Sequence, residues 1–302
     1  MSKKKPIDPI TDQEMKEALV RSGYPLEVRA VRKLRELGYY VIPNTVYTDP
    51  LTGKSRELDI WASYGHNEID TKEDDVNFIH MTQFLFIECV NNPHPIVFFG
   101  AEKNATKRLW YDHIKFTDSF TNAEFHEEET FEPTSDVIGA THNHHSLKIP
   151  IARQYCSFEH KSDKWIATHE TTHHDAFDKL VFKVNKTIEE HKKDNEEFQK
   201  ELKELNGEES SSGVIADVAF YYPILLLQKE MKIAIISRDT VTLKPCSHLA
   251  YEKETAIDGN RKTALIDVVT EKYFHKYLNI LLKEHSKYYQ NLEHRCINPR
   301  KL

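Results

Sequence analysis

Apolar and polar positions alternate along this chain in two rhythms, and the switches between them mark out its elements. Thr11-Asp12-Gln13-Glu14 has the form in which a threonine and a glutamate three residues on close back on orphan amides, so it predicts a short helix that stops at Gly23. Pro25 suits a first helical turn, and Leu26, Ala30, Leu34 and Leu37 recur at the spacing of one helix face up to Gly38. Residues 39–47 are β-branched and aromatic, 49–53 read as a tight turn and 55–63 as a second strand, which together predict a hairpin. An acid-rich polar segment, 65–77, is expected to separate this hairpin from the apolar run 78–90, whose centre reads as a buried strand.

Residues 95–99 predict another short strand, and the acidic stretch 124–132 a solvated loop. A helix is expected over 149–158, followed by a long charged helix over 175–205 that packs through Leu180, Val184, Thr187 and Ile188. Residues 207–213, Gly-Glu-Glu-Ser-Ser-Ser-Gly, have the composition of a flexible linker. Beyond it, 214–228, 231–236, 241–251 and 263–269 read as strands, with a turn at Asp258-Gly259, and 271–292 as a closing amphipathic helix. Interspersed strands and helices with no internal repeat predict an α/β fold. We expect one large domain over 1–302: a core at about 11–100, the long helix and linker at about 175–213, and further strands and a helix at 214–302.

Composition narrows the function classes. The chain has 302 residues, enough for a self-sufficient core, and no apolar run near the roughly 20 residues of a membrane span. Its lysine-rich start lacks the apolar segment of a secretory signal, so a cytoplasmic protein is expected. Cys89, Cys156, Cys246 and Cys296 form no C-x-x-C pair and predict reduced, mostly buried thiols. A net charge of −7 argues against non-specific binding to polyanions and leaves room only for a local basic groove.

Three acidic residues stand where they could serve a hard cation. Asp59 lies in Arg-Glu-Leu-Asp-Ile on the second hairpin strand, Glu88 ends the buried strand in Phe-Ile-Glu-Cys-Val, and Glu27 opens the helix after Pro25. Carboxylates in such apolar surroundings are costly unless paired or bound to an ion. This succession resembles the PD-(D/E)XK nuclease superfamily, whose core is the restriction-endonuclease-like fold, a mixed central sheet flanked by helices. The likeness is carried by about a quarter of the chain, residues 23–99. It implies a metal-dependent nuclease with Asp59 and Glu88 as ligands of Mg²⁺, or Mn²⁺, and Glu27 completing the site. The family's motif ends in a lysine that positions or activates water, and Val90 occupies that position here. Lys54 and Lys103 are the nearest lysines in sequence that could take its role, and Asn91 and Asn92 could orient water without charge. Gln154-Tyr155, on the helix expected there, reads as packing rather than as phosphate contacts.

A second pattern competes. His169-Glu170-Thr171-Thr172-His173 matches H-E-x-x-H, in which two histidines one helical turn apart hold zinc and the glutamate acts as base, with Glu189 or Glu190 nominated as a third ligand. The plainer reading is a helix N-terminus capped by Thr171 or Thr172. His142, His144 and His145 could join a metal only if distant segments meet, and a solvated loop is the simpler expectation. Three functions follow: a Mg²⁺-dependent nuclease acting on DNA rather than RNA, a non-cleaving nuclease-fold module that binds nucleic acid or a protein partner, and a zinc hydrolase. None involves a membrane, and a homodimer is compatible with the first two.

Overall fold

The computed structural model describes residues 9–49, 53–72, 75–101, 115–122, 139–140, 144–169, 171–206, 214–238, 240–257 and 260–297. Two helices come first, α1 (Asp12–Arg21) and α2 (Tyr24–Glu36). The Thr11 and Glu14 side chains cap each other's backbone amides, and Leu26, Ala30 and Leu34 form the buried face of α2. A meander of β1 (Tyr40–Thr48), β2 (Ser55–Lys72) and β3 (Asp75–Val90) follows.

The polar segment 65–77 does not separate the hairpin from the apolar run. It is the far end of a long β2–β3 ribbon paired as far as Lys72↔Asp75. Backbone groups make this ladder, and they pair regardless of side-chain polarity. The helix expected over 149–158 is also corrected: a 3₁₀ turn (His145–Lys148) leads into strand β6 (Ile151–Lys161), because a short apolar run has no periodicity that excludes a strand. The remaining strands are β4 (Ile96–Ala101), β5 (Lys115–Asn122), β7 (Lys164–Thr168), β8 (Val214–Leu227), β9 (Met231–Ser237), β10 (Thr240–Cys246), β11 (His248–Ile257) and β12 (Asn260–Thr270). The run read as one strand over 241–251 is broken at Ser247 into β10 and β11. Helices α3 (Thr171–Asn206) and α4 (Glu271–Ile297) complete the described elements. The loop 124–132, the linker 207–213 and the Asp258-Gly259 turn lie outside the described residues.

All twelve described strands join one mixed sheet in the order β1-β2-β3-β8-β12-β11-β6-β4-β9-β10, with β5 beside β8 and β7 beside β6. The C-terminal strands therefore extend the sheet of the core, through parallel pairing of β8 with β3 and with β12. Strand β8 explains the layering. Phe220, Tyr222, Ile224 and Leu226 pack on one face with α2 and α4, while Ala219, Tyr221, Leu225 and Leu227 pack on the other with α3. Pro223 stands opposite Phe86 of β3 on one edge, while on the other β5 pairs β8 only up to Tyr221 and β12 only from Ile224, so that edge has a break in its ladder at the proline. At Gly100, where β4 shifts register against β6, a Cβ would lie 1.8 Å from the Ile151 carbonyl oxygen. Among the described residues no helix is long and apolar enough to cross a membrane. Cys89, Cys156 and Cys246 are free thiols, Cys156 buried and the other two half-buried.

Candidate active site

Paired strands normally run on until a turn, but β2 and β3 part early. Their ladder ends at Ile60↔Ile87, and one residue further on the Asp59 side chain replaces the backbone, its Oδ2 accepting the Cys89 N–H at 2.7 Å. The parting leaves a notch in the backbone ladder, which side chains approach from three directions. Phe86 and Val90 pack in the cluster shared with α3, while Ile87 and Cys89 belong to the cluster shared with α2 and α4, so alternation turns Glu88 toward α3. Glu27, near the start of α2, comes from the other layer. Its Oε1 and the Cys89 carbonyl oxygen both border Gly23, 3.3 Å and 4.0 Å from where a Cβ would stand there.

Lysine reaches this notch from an unexpected element. Lys179 on α3 donates from Nζ to Glu88 Oε2 at 2.9 Å, and the Glu88 side chain is only 5% exposed. An amphipathic stripe of Phe177, Leu180, Val181 and Val184 seats α3 on the sheet, and Lys179 flanks that stripe where it passes Glu88. The other carboxylate oxygen, Glu88 Oε1, is buried without a hydrogen-bond partner. Burial pushes Glu88 up to about 8, the Asp59 carboxylate adds to the rise, and Lys179 and the Asp59 backbone amide oppose it. Burial also raises Asp59, against the Cys89 amide and Lys179, and raises Glu27 with further help from Asp59. Three carboxyls thus share one lysine, a deficit of positive charge that a bound cation would fill.

The donors are of the oxygen type that a hard cation takes. Mg²⁺ keeps several waters and takes one or two protein carboxylates, and the notch offers Asp59, the orphan Glu88 Oε1 and the neighbouring Cys89 carbonyl, all hard oxygens. The three carboxylates are not crowded together: neither of the described groups with three ligand atoms within 4.8 Å of one another includes them. A cleft of about 760 Å³ leads to Glu27, lined also by Tyr24, Val28, Arg32, Arg35 and Asn44.

Other expected site residues fall elsewhere. Val90 packs against the apolar cluster under α3. Lys54 is exposed beside the β1–β2 turn, and Lys103 lies outside the described residues. The side-chain amide of Asn91 donates to the Arg21 and Ser22 carbonyls. Asn92 donates to the His94 carbonyl at 2.9 Å and accepts the Lys229 N–H at 2.9 Å, so both asparagines tie down backbone. Tyr155 is on strand β6, packed against Phe98, Phe177 and Tyr251, and Gln154 beside it is exposed. His169 precedes α3 and His173 sits in its first turn, and both rings lie against Tyr155, at 5.7 Å and 6.2 Å between centroids; Glu170 lies outside the described residues. Thr171 and Thr172 are the first residues of α3 rather than a cap before it. Glu189 and Glu190 are exposed, further along α3. His144 and His145 are buried, which corrects the solvated loop, and His142 lies outside the described residues.

Comparison with protein-family models, curated proteins and solved structures finds no match to this chain.

Proposed function

We propose that this protein is a metal-dependent nuclease of the PD-(D/E)XK kind, in which Lys179 on α3 does the work of the lysine that Val90 displaces. The observation that carries the reading is the 2.9 Å contact of Lys179 Nζ with Glu88 Oε2, beside an unpartnered Glu88 Oε1. A restriction-endonuclease-like core is supported by the order of α2, the hairpin and the buried strand, and by the way α3 returns the chain to β8, parallel to β3.

Asp59 and Glu88 would hold Mg²⁺ or Mn²⁺, with Glu27 completing the site; when bound, the ion lowers the pKa of water and offsets charge on the phosphate. Lys179 keeps Glu88 oriented and places a positive charge where phosphate oxygens gain negative charge. Arg32 and Arg35 line the cleft beside Glu27, where Glu36 also stands, and are the cations there that a phosphate could meet. Phosphodiester hydrolysis of DNA, with RNA as the secondary substrate, is the activity this arrangement serves.

Labelled single- and double-stranded DNA and RNA, incubated with the full chain in Mg²⁺ or Mn²⁺, test it. Cleavage is expected, and the Asp59→Ala, Glu88→Ala double variant should lower it by at least about a thousandfold. Cleavage that survives the double substitution rejects the reading. A wild type that binds these nucleic acids without cutting them points instead to a binding module.

A further inference from the structure

The buried histidines form a second constellation, built from four segments. His145 comes from the 3₁₀ turn, His248 from the start of β11, Asp267 from β12 and Glu284 from α4. His145 Nε2 lies 2.9 Å from Asp267 Oδ2, His248 Nε2 lies 3.0 Å from Asp267 Oδ1, and His145 Nδ1 lies 2.9 Å from Glu284 Oε2. Tyr277 donates its hydroxyl to Asp267 Oδ2 at 2.7 Å. The side chains of His145, His248, Asp267 and Glu284 are 4%, 5%, 8% and 12% exposed.

We propose that His145 Nε2, His248 Nε2 and the Asp267 carboxylate hold a divalent transition-metal ion of the zinc class, which fastens the 3₁₀ turn to the β11–β12 hairpin. One ligand atom from each of the three residues lies within 4.8 Å of the others, close enough for a small adjustment to close on an ion. Two imidazoles in the set favour zinc-like ions over magnesium. The surroundings match what such ligands need. The remaining ring nitrogen of His145 faces the Glu284 carboxylate, an arrangement that fixes which nitrogen meets the metal, and Tyr277 holds Asp267. A second observation is independent of these bonds. His144, 5% exposed, has a buried Nε2 with no hydrogen-bond partner, and with His145 and Glu284 it forms a second, adjoining group that brings one ligand atom each within 4.8 Å, so the imidazole and carboxylate donors here extend beyond the three proposed ligands.

The site shares no residue with the Asp59 and Glu88 notch and does not depend on the nuclease reading. Its test is the metal content of the purified full chain by mass spectrometry, from manganese to zinc, with thermal melts before and after EDTA and after adding Zn²⁺ back. About one ion per chain is expected, and stripping it should lower Tm by roughly 4 °C, the effect of a ligand supplied at about a hundred times its Kd. His248→Ala should abolish retention and Glu284→Gln should weaken Zn²⁺ affinity by about 10–100-fold. The Asp59→Ala, Glu88→Ala variant should keep the ion. Wild-type protein that carries no transition metal, and whose melt after EDTA is unmoved by Zn²⁺, overturns the proposal without reference to any variant. So does zinc lost from the Asp59→Ala, Glu88→Ala protein or retained in full by His248→Ala.

Discussion

Lys179→Met should slow single-turnover cleavage by about a thousandfold, the usual loss when one preorganised charge is removed from a developing anion. The fold should survive. Burial pushes Glu88 up to about 8 even with the lysine beside it, so in metal-free protein at neutral pH it is already mostly protonated and removing Lys179 leaves no bare buried charge. Circular dichroism of the variant should therefore match wild type. Lys179→Arg should recover only part of the rate, because a planar guanidinium cannot reproduce a compact ammonium at this contact. Lys186→Met is the control: it lies on the same helix, pairs with exposed Glu190 at 3.7 Å, and should leave the rate unchanged. A Lys179→Met enzyme as fast as wild type would remove the lysine from the mechanism.

The second large effect is on stability. Glu88 goes from an ordinary 4.5 to about 8 on folding, chiefly through burial, so the folded state holds its proton more tightly than the unfolded chain does. Its contribution is fully present below about pH 4.5 and is lost as pH rises through about 8. Glu88→Gln cannot ionise and escapes that loss. In metal-free protein the Tm of Glu88→Gln should therefore draw ahead of wild type between pH 5 and 8.5, by on the order of 2–4 kcal/mol or roughly 5 °C. Millimolar Mn²⁺ should close the gap, since the ion stabilises only the ionisable protein. A gap that stays constant with pH would mean that Glu88 is charged in the folded state throughout.

What could be read from the chain follows from how local each signal is. Glu27, Asp59 and Glu88 each sit in a short segment whose residues also declare its helix or strand, and the structure brings all three to the point where β2 and β3 part. Lys179 carries no such mark. It is 91 residues beyond Glu88, and the stripe of Phe177, Leu180, Val181 and Val184 shows which face of α3 is buried without showing which flanking residue meets a carboxylate. That depends on where α3 crosses the sheet. The same limit explains His144 and His145, polar in sequence yet buried because β11, β12 and α4 close around them. Strand β6 was illegible for a different reason, since its neighbours β4 and β11 are remote and pairing with them decides its conformation.

Anomalous diffraction from crystals soaked in Mn²⁺ tests most directly whether Asp59, Glu88 and Lys179 form one cation-holding centre. A peak is expected within coordination distance of Asp59 and of Glu88 Oε1, at about 2.0–2.3 Å, with Lys179 still directed at Glu88. Manganese absent from that notch, with Glu88 Oε1 still unpartnered at saturating ion, would contradict it.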